Sequence, residues 1–331
     1  MTPTPHDALF KATFSIPGRA AELLRVALGP ELAAQIDWSS LAPESTSFID
    51  DTLREQHADL LFTVRLGEHT LCPYLLLEHK STPERWTGFQ VLKYVLRIWD
   101  GRLSADPRLT ALPPVLAVVL YNGDRSWSFA SDFQALVDIP PGGEFLREYN
   151  PQFRFVFVDL SAMDGEALRT HDTSASVRLT LLALTETRAA GDVQTLVAGW
   201  IGLMRELMRD PHDVATIRHI FSYLYAVRGK AEFGRLDLRA LDFPEGEAIM
   251  ETMAEALINK GLQKGRQEGR QEGRQEGLQK GHAELFIRLL RRKFPQVAAA
   301  RVALAEAADI ATIDRWSDQL LTAATVDEVF A

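Results

Sequence analysis

The chain has 331 residues, a formal net charge of −9 and 46% hydrophobic residues, a composition typical of folded globular proteins rather than disordered chains or fibres. No apolar run reaches the roughly 18 residues of a membrane-spanning helix, and the N-terminus lacks the pattern of a signal peptide. Cys72 is the single cysteine, which excludes an intrachain disulfide and a multi-thiolate zinc site. We therefore expect a soluble cytoplasmic protein. Its acidity argues against bulk nucleic-acid binding but is compatible with a local basic cleft.

The first half of the chain alternates helical and strand-like patterns. The predicted elements are a helix over 6–28 with Asp7 as N-cap and a break near Pro17-Gly18, strands over 58–65 and 70–79, an amphipathic helix over 86–99, and strands over 115–121 and 153–160. The continuous apolar run 115–121 is typical of a strand buried on both faces. In the helix over 86–99, Phe89, Leu92, Leu96 and Trp99 are the expected apolar face. The order predicts a mixed α/β domain of about 160 residues.

The second half is almost entirely helical in pattern and contains one repeat. Glycine recurs at every fourth position from Gly261 to Gly281, with Arg-Gln-Glu between the central glycines. Glycine disfavours a helix interior and like charges fall four residues apart, so an isolated helix is expected to be marginal. Two alternatives stay open: a flexible linker, or a helix formed against a partner copy. The predicted organisation is an α/β domain over 1–162, a helical region over 163–258, the repeat over 259–281 and a small helical domain over 282–331.

The predicted hairpin brings three polar residues together. A two-residue turn at Gly67-Glu68 makes directly opposed residues sum to 135, so Asp59 faces Leu76. Glu78 and Lys80 share the face of Leu76 because side chains of a strand alternate with period two. The hairpin therefore predicts an Asp, a Glu and a Lys at one end of an otherwise apolar sheet, provided that no bulge shifts the register.

These residue types suit metal-dependent phosphodiester hydrolysis. Two carboxylates about 5 Å apart repel by roughly 3 kcal/mol at an effective dielectric near 20, and a divalent cation removes that repulsion. Oxygen ligands favour Mg²⁺, for which Mn²⁺ can substitute, over zinc. A lysine beside the metal can orient or deprotonate water or stabilise charge on a phosphate. From spacing alone, the commoner explanation is a structural Asp and a Glu–Lys pair at an exposed strand end.

The following helix carries two further pairs at i,i+4 spacing. Gln90 and Tyr94 lie on one face, and Lys93 and Arg97 on an adjoining face. The first pair is placed to reach the metal site and the second a nucleic-acid backbone. Taken singly, each pair is more often a solvated or half-buried helix face. A basic segment around them supplies the charge that DNA binding requires: Lys80, Arg85, Lys93, Arg97, Arg102 and Arg108.

Five segments in order resemble one known family. They are HDALFKATFS, SFIDDTLREQHADLLFTV, YLLLEHKS, FQVLKYVLRIWD and VVLYNG. The chain resembles the Rpn family of recombination-promoting nucleases, also labelled putative transposases, within the PD-(D/E)XK nuclease superfamily. The resemblance covers about the first 160 residues and extends more loosely through the helical region. The repeat and the small C-terminal domain also look like the tails of many members.

The resemblance implies a restriction-endonuclease-like mixed sheet flanked by helices and a role for each matching position. Asp59 and Glu78 match the metal-binding acids, with Ala58 where the superfamily has proline, and Lys80 matches the catalytic lysine. His79 contributes its backbone carbonyl to the metal, and Gln90 matches the catalytic glutamine of the next helix. Tyr94 lies on the face of Gln90 and completes, with Lys93 and Arg97, the expected DNA contacts. Asn122 stands where members tend to have histidine.

Two function classes follow. The first is a Mg²⁺-dependent DNA endonuclease of low sequence specificity, linked to recombination or mobile elements by resemblance. The second is a non-catalytic interaction or assembly protein that keeps the nuclease fold. DNA is the expected partner, a membrane is not, and the C-terminal helical and Gly-repeat region leaves homo-oligomer formation open. Motifs for nucleotide, dinucleotide, serine-hydrolase and zincin chemistry are absent from the sequence.

Overall fold

A computed structural model describes residues 4–44, 60–78, 83–123, 125–188 and 190–330. The strands are β1 (Asp37–Pro43), β2 (Leu60–Leu66), β3 (His69–Glu78), β4 (Val115–Tyr121) and β5 (Val156–Asp159). The helices up to the end of the sheet are α1 (Pro5–Phe14), α2 (Pro17–Ala33) and α3 (Thr87–Ala105). The later helices are α4 (Gly165–Thr170), α5 (Ala175–Glu186), α6 (Val193–Ala198), α7 (Ile201–Leu207), α8 (Val214–Arg228), α9 (Lys230–Phe233), α10 (Glu245–Lys293), α11 (Ala299–Ala307), α12 (Ile310–Thr322) and α13 (Val326–Val329). Three short 3₁₀ helices cover Phe133–Leu136, Glu144–Tyr149 and Leu160–Ala162. The predicted α/β class is confirmed.

The N-terminal helix pair begins with a capping box. Thr4, not Asp7, is the N-cap of α1: the Asp7 amide donates to Thr4 Oγ1 at 3.2 Å, and the Thr4 amide donates to Asp7 Oδ2 at 3.1 Å. The prediction of Asp7 as the cap was therefore wrong, because Asp7 holds the third helical position of the box. The predicted break is confirmed, since α1 ends at Phe14 and α2 begins at Pro17. A second break within α2 lies at Gly29, whose φ of +73° favours glycine.

The five strands form one mixed sheet in the order β1-β2-β3-β4-β5. β1, β2 and β3 pair antiparallel, whereas β3, β4 and β5 pair parallel. The chain passes from β3 to its parallel neighbour β4 through α3, as a parallel connection requires. The predicted strand over 115–121 is confirmed with both faces covered, since Val118 to Tyr121 are fully buried. The predicted strand over 153–160 is shorter than expected.

Helices cover both faces of this sheet. On one face, α3 packs through Val91, Tyr94, Val95 and Ile98 against a cluster supplied by the strands and the loop before β5: Leu61, Ala117, Val119 and Phe155. The sheet residues of opposite parity, such as Phe62 and Leu120, are buried too. α2 contacts β1 and β5. The central strand β4 is therefore apolar throughout, as a strand covered on both faces is expected to be.

The helical region after the sheet packs against α1 and α2. Thr13 and Thr180 share a buried hydrogen bond of 3.0 Å between their hydroxyl oxygens, which joins α1 to α5. His6 Nδ1 lies 2.8 Å from the Tyr223 hydroxyl, which joins α1 to α8. Asn122, directly after β4, donates from Nδ2 to the Leu184 carbonyl at 2.8 Å. These buried bonds make residues 1–253 one compact unit.

The second compact unit comprises residues 254–331, and the division falls inside α10. Its core is built by the C-terminal part of α10 and the three helices that follow, with Phe286, Leu290, Ile313 and Trp316 among the buried side chains. The glycine repeat lies within α10 and is therefore helical. Gly269, Gly273 and Gly277 have open space where a β-carbon would stand. Among the described residues, no helix is long and apolar enough to cross a bilayer.

We expect His219, in α8, to make folding pH-dependent. Burial lowers the pKa of His219 below its usual value, and Arg218 and Arg19 lower it further. Its Nδ1 is buried and has no hydrogen-bond partner in the described part of the chain. The folded state therefore binds a proton at His219 more weakly than the unfolded chain, in which a histidine titrates near pH 6.5. Stability should fall as the pH drops below about 6.5, since the unfolded state then binds more protons.

Urea denaturation between pH 5 and pH 8 measures this effect. His219→Gln should lose part of the decrease in unfolding free energy that the parent shows on acidification. His212→Gln is the matched control because His212 is exposed, and it should follow the parent. Identical pH profiles for His219→Gln and the parent would contradict the assignment.

Candidate functional site

The hairpin register places Glu78 at the carboxyl end of β3. All paired residues of β2 and β3 sum to 135, from Leu60 with Leu75 to Leu66 with His69, so the predicted two-residue turn is confirmed. Gly67 has a φ of +60° at the first turn position, as a type II′ turn requires. On its other side, Glu78 pairs with Tyr121, the last residue of β4. Glu78 therefore ends the strand at which antiparallel and parallel pairing meet.

Three of the predicted site residues lie outside the described residues. They are Asp59, His79 and Lys80, together with the predicted pairing of Asp59 with Leu76. Their neighbours are described: Leu60 begins β2, and Glu78 ends β3. Within residues 4–44, 60–78, 83–123, 125–188 and 190–330, no group of three or more His, Cys, Asp or Glu residues is arranged to hold a metal ion.

Gln90 and Tyr94, which were predicted to act together on one face of α3, differ in exposure. Tyr94 is fully buried in the core between α3 and the sheet, so its ring is covered by protein rather than open to DNA. Gln90, one turn earlier, is half-buried. Gln90, Tyr94 and Arg97 each have an interaction partner. Burial gives Tyr94 a packing role, and Gln90 stays at the margin of the helix–sheet interface.

The apolar face of α3 agrees with the predicted one at Trp99, which packs against the core cluster, but differs from it elsewhere. Phe89 and Leu96 were predicted to face the core, but they are 49% and 48% exposed. Val91, Tyr94, Val95 and Ile98 form the buried face instead. The helix carries large apolar residues on both sides, so periodicity alone does not determine which side meets the sheet.

The predicted basic segment divides into cations that are available to a ligand and cations that serve the fold. Lys93 and Arg85 are exposed, and Arg97 is partly exposed. Arg102 instead donates from Nη2 to Glu44 Oε2 at 3.1 Å. Arg108 is exposed beside Asp106, with 3.7 Å between its Nε and the carboxylate. Of the described cations in this segment, Lys93 within α3 and Arg85 just before it are therefore exposed and form no ion pair with a described residue.

Comparison with known proteins gives this arrangement a family. A model of the family described as "Putative transposase, YhgA-like" matches residues 4–214, which include the whole sheet and α3. The chain belongs to that family. The match extends past β5 into α7 and ends at the start of α8. The YhgA-like part therefore includes both the hairpin and the helices that pack on it.

Curated relatives support the predicted Rpn resemblance. Recombination-promoting nuclease RpnD of Escherichia coli O157:H7 is 28% identical over 222 residues, which cover 66% of this chain and 82% of that protein. Recombination-promoting nuclease RpnA of Escherichia coli K12 is 36% identical over 123 residues, 37% of this chain and 41% of RpnA. The Inactive recombination-promoting nuclease-like protein RpnE of the same strain is 25% identical over 262 residues, 78% of this chain and 83% of RpnE. No solved structure matches the chain.

Tyr94 is buried and Phe89 is exposed, so the two residues should contribute differently to the free energy of unfolding. Tyr94→Ala should lower the unfolding free energy by about 3–5 kcal/mol, the range for large aromatic truncations in a core. Phe89→Ala on the same helix should change it by less than about 0.5 kcal/mol, as exposed positions do. Urea denaturation of both variants tests the assignment of the helix faces. Equal losses would show that the buried face was misassigned.

Proposed function

We propose that this chain is a Mg²⁺-dependent DNA endonuclease of low sequence specificity, built on a restriction-endonuclease-like fold and acting in recombination. The observation that carries the proposal is the hairpin register, which puts Glu78 at the end of β3, between an antiparallel and a parallel neighbour. Membership of a family whose relatives include named recombination-promoting nucleases supports the activity class.

The described backbone limits how far apart the proposed acids can lie. Asp59 directly precedes Leu60, and Leu60 pairs with Leu75, three residues before Glu78. Consecutive Cα atoms are 3.8 Å apart, so the chain itself tethers Asp59 to this end of the hairpin. Asp59 and Leu61 are two positions apart, as are Leu76 and Glu78, so strict alternation would put each pair on one face of its strand. Leu61 belongs to the core under α3, and so does Val119, the partner of Leu76. If this alternation continues past the described strands, both acids lie on the α3 side of the sheet.

The donor set proposed from these positions suits a hard cation. Carboxylates of Asp59 and Glu78 with the His79 carbonyl are all oxygen ligands, which fit Mg²⁺ or Mn²⁺. Bound there, the cation would supply Lewis acidity to a phosphoryl oxygen. Lys80 would orient the attacking water or stabilise negative charge on the phosphate. Gln90, half-buried on the neighbouring helix, would support the same site from the side of α3.

Plasmid cleavage tests the site directly. Asp59→Ala and Glu78→Gln should each reduce nicking of supercoiled plasmid by roughly 10²–10³-fold or more, because each removes a charge that holds the metal beside the phosphate. The parent should nick in Mg²⁺ and not in EDTA. Glu68→Gln is the matched control, since Glu68 is exposed at the turn of the same hairpin.

Retained cleavage by a pure, folded Asp59→Ala preparation would remove Asp59 from the site. If the folded parent does not cleave, calorimetry with Mg²⁺ and Mn²⁺ on the parent and Asp59→Ala separates two cases. Metal binding that depends on Asp59 would indicate a nuclease that lacks its preferred substrate. No metal binding would favour the second candidate function.

That second candidate is an interaction or assembly protein that keeps the nuclease fold. It is favoured by the likeness to RpnE, which is named inactive and is aligned over 78% of this chain. We propose the C-terminal helical and Gly-repeat region as its place of self-association. In α10 the exposed glycines leave room for another backbone to approach closely.

DNA binding should depend on the cations of α3. Lys93→Glu with Arg97→Glu should weaken binding at low salt and reduce the slope of log K against log salt by about 2, one for each lost phosphate contact. Metal binding should be unaffected. Arg209→Glu with Arg235→Glu makes the same charge change at two exposed arginines of the helical region after the sheet and should have a smaller effect. Equal slopes for the two double variants across a salt series would contradict the assignment.

A further inference from the structure

Two large aromatic side chains are exposed at the start of α3. Trp86 is 56% exposed and Phe89 is 49% exposed. Trp86 is the N-cap residue of α3, and Phe89 lies three residues later in its first turn, a spacing at which helical side chains are neighbours. Neither ring is part of the core cluster between α3 and the sheet. Two adjacent exposed aromatics form a larger apolar surface than the singly exposed residues that are normal in soluble proteins.

Positive charge borders this aromatic pair. The Arg85 guanidinium carbon lies 5.7 Å from the centre of the Trp86 ring, within the range of a cation–π contact. Lys93, one turn beyond Phe89, is exposed. Neither cation has an ion-pair partner in the parts of the chain that the structure describes. Exposed aromatics interleaved with available cations match a ligand that has flat apolar faces on an anionic backbone.

We propose that Trp86 and Phe89 are a stacking platform for unpaired bases of DNA, with Arg85 and Lys93 contacting the adjoining phosphates. The proposal rests on the proposed nuclease function and names its substrate class as DNA with a single-stranded segment. Trp86, the first residue of the platform, lies eight positions after Glu78 in the sequence, at the N-terminal end of α3. Stacking needs no particular base because every base has a π-face, so it is compatible with low sequence specificity.

A second copy of the chain is the competing occupant. The exposed side of α3 continues through Leu96 and Leu103, which a partner helix would also cover. The observations favour DNA because Arg85 lies over the Trp86 ring and Lys93 is exposed on the same helix as Phe89, so the exposed rings are accompanied by positive charge. A helix pair held together by apolar contacts would not require the Arg85 guanidinium over the Trp86 ring.

Fluorescence anisotropy with labelled oligo(dT), long enough for a single-strand site of roughly 4–16 nucleotides, measures the proposed contact. EDTA is present throughout, so that cleavage does not contribute. Trp86→Ala with Phe89→Ala should weaken oligo(dT) binding about 5- to 150-fold, the range for losing one stacked base, or more if both rings stack. Affinity for a duplex of the same length should change much less, because paired bases keep their faces inside the stack. Leu103→Ala is the control, since Leu103 is exposed on the same helix.

Trp86→Phe supplies a readout that a structural role would not change. This variant keeps an aromatic face, so its oligo(dT) affinity should stay near that of the parent. The parent should lose tryptophan fluorescence when oligo(dT) binds, and Trp86→Phe should lose less. Unchanged affinity of the double alanine variant, or equal quenching in the parent and Trp86→Phe, would overturn the platform.

Three outcomes separate this proposal from its alternatives. If the parent is a dimer by light scattering and Trp86→Ala with Phe89→Ala makes it monomeric, the surface is a self-association site and the proposal is wrong. If oligo(dT) binding depends on Trp86 but the parent neither cleaves DNA nor binds Mg²⁺ or Mn²⁺ through Asp59, the platform stands and the nuclease proposal fails. If the chain cleaves DNA but the double alanine variant shows no altered preference for single strands, the nuclease proposal stands and the platform fails.

Discussion

The two-residue turn at Gly67-Glu68 is the constraint on which the arrangement of the site depends. Gly67 adopts a φ of +60°, which glycine accepts without strain, and the turn sets every pair of β2 and β3 to the same register. A slip of one residue would exchange the two faces of β2. Leu61 would then leave the core under α3, and each residue at the end of β3 would lie beside a different residue of β2. The turn therefore decides both the packing of the sheet and the position of Glu78.

The mixed pairing of β3 follows from the same constraint. Its tight turn to β2 makes that pair antiparallel, whereas the passage through α3 makes its pairing with β4 parallel. α3 must then bury one face on the sheet, which it does through Tyr94 and its neighbours. Because Tyr94 is committed to this packing, the opposite face of α3, which includes Phe89 and Leu96, stays exposed. One face of α3 thus stabilises the sheet, and the other face forms the surface beside it.

Local patterns predicted the hairpin, the buried strand β4 and the break between α1 and α2, because each is determined by neighbours in sequence. β1 was missed because Asp37–Pro43 is mostly polar or half-exposed and has no apolar alternation. The orientation of α3 was also missed, since Phe89 and Val91 are equally apolar and only tertiary packing selects between them. The helical state of the Gly repeat could not be decided from local terms, which made an isolated helix marginal. Family resemblance, rather than spacing, supplied the roles of Asp59, Glu78 and Lys80.

If an acidic protein binds DNA, some of its cations must face the nucleic acid while others form ion pairs within the fold. In the helical region, arginines are used within the fold: Arg169 contacts Glu186 at 2.7 Å, Arg178 contacts Glu206 at 2.8 Å, and Arg239 contacts Glu247 at 2.7 Å. Exposed Arg85 and Lys93 form no such pair in the described residues. With a net charge of −9, most of the surface repels a nucleic acid. On the proposed nuclease function, repulsion elsewhere and attraction by Arg85 and Lys93 would both direct DNA to the start of α3.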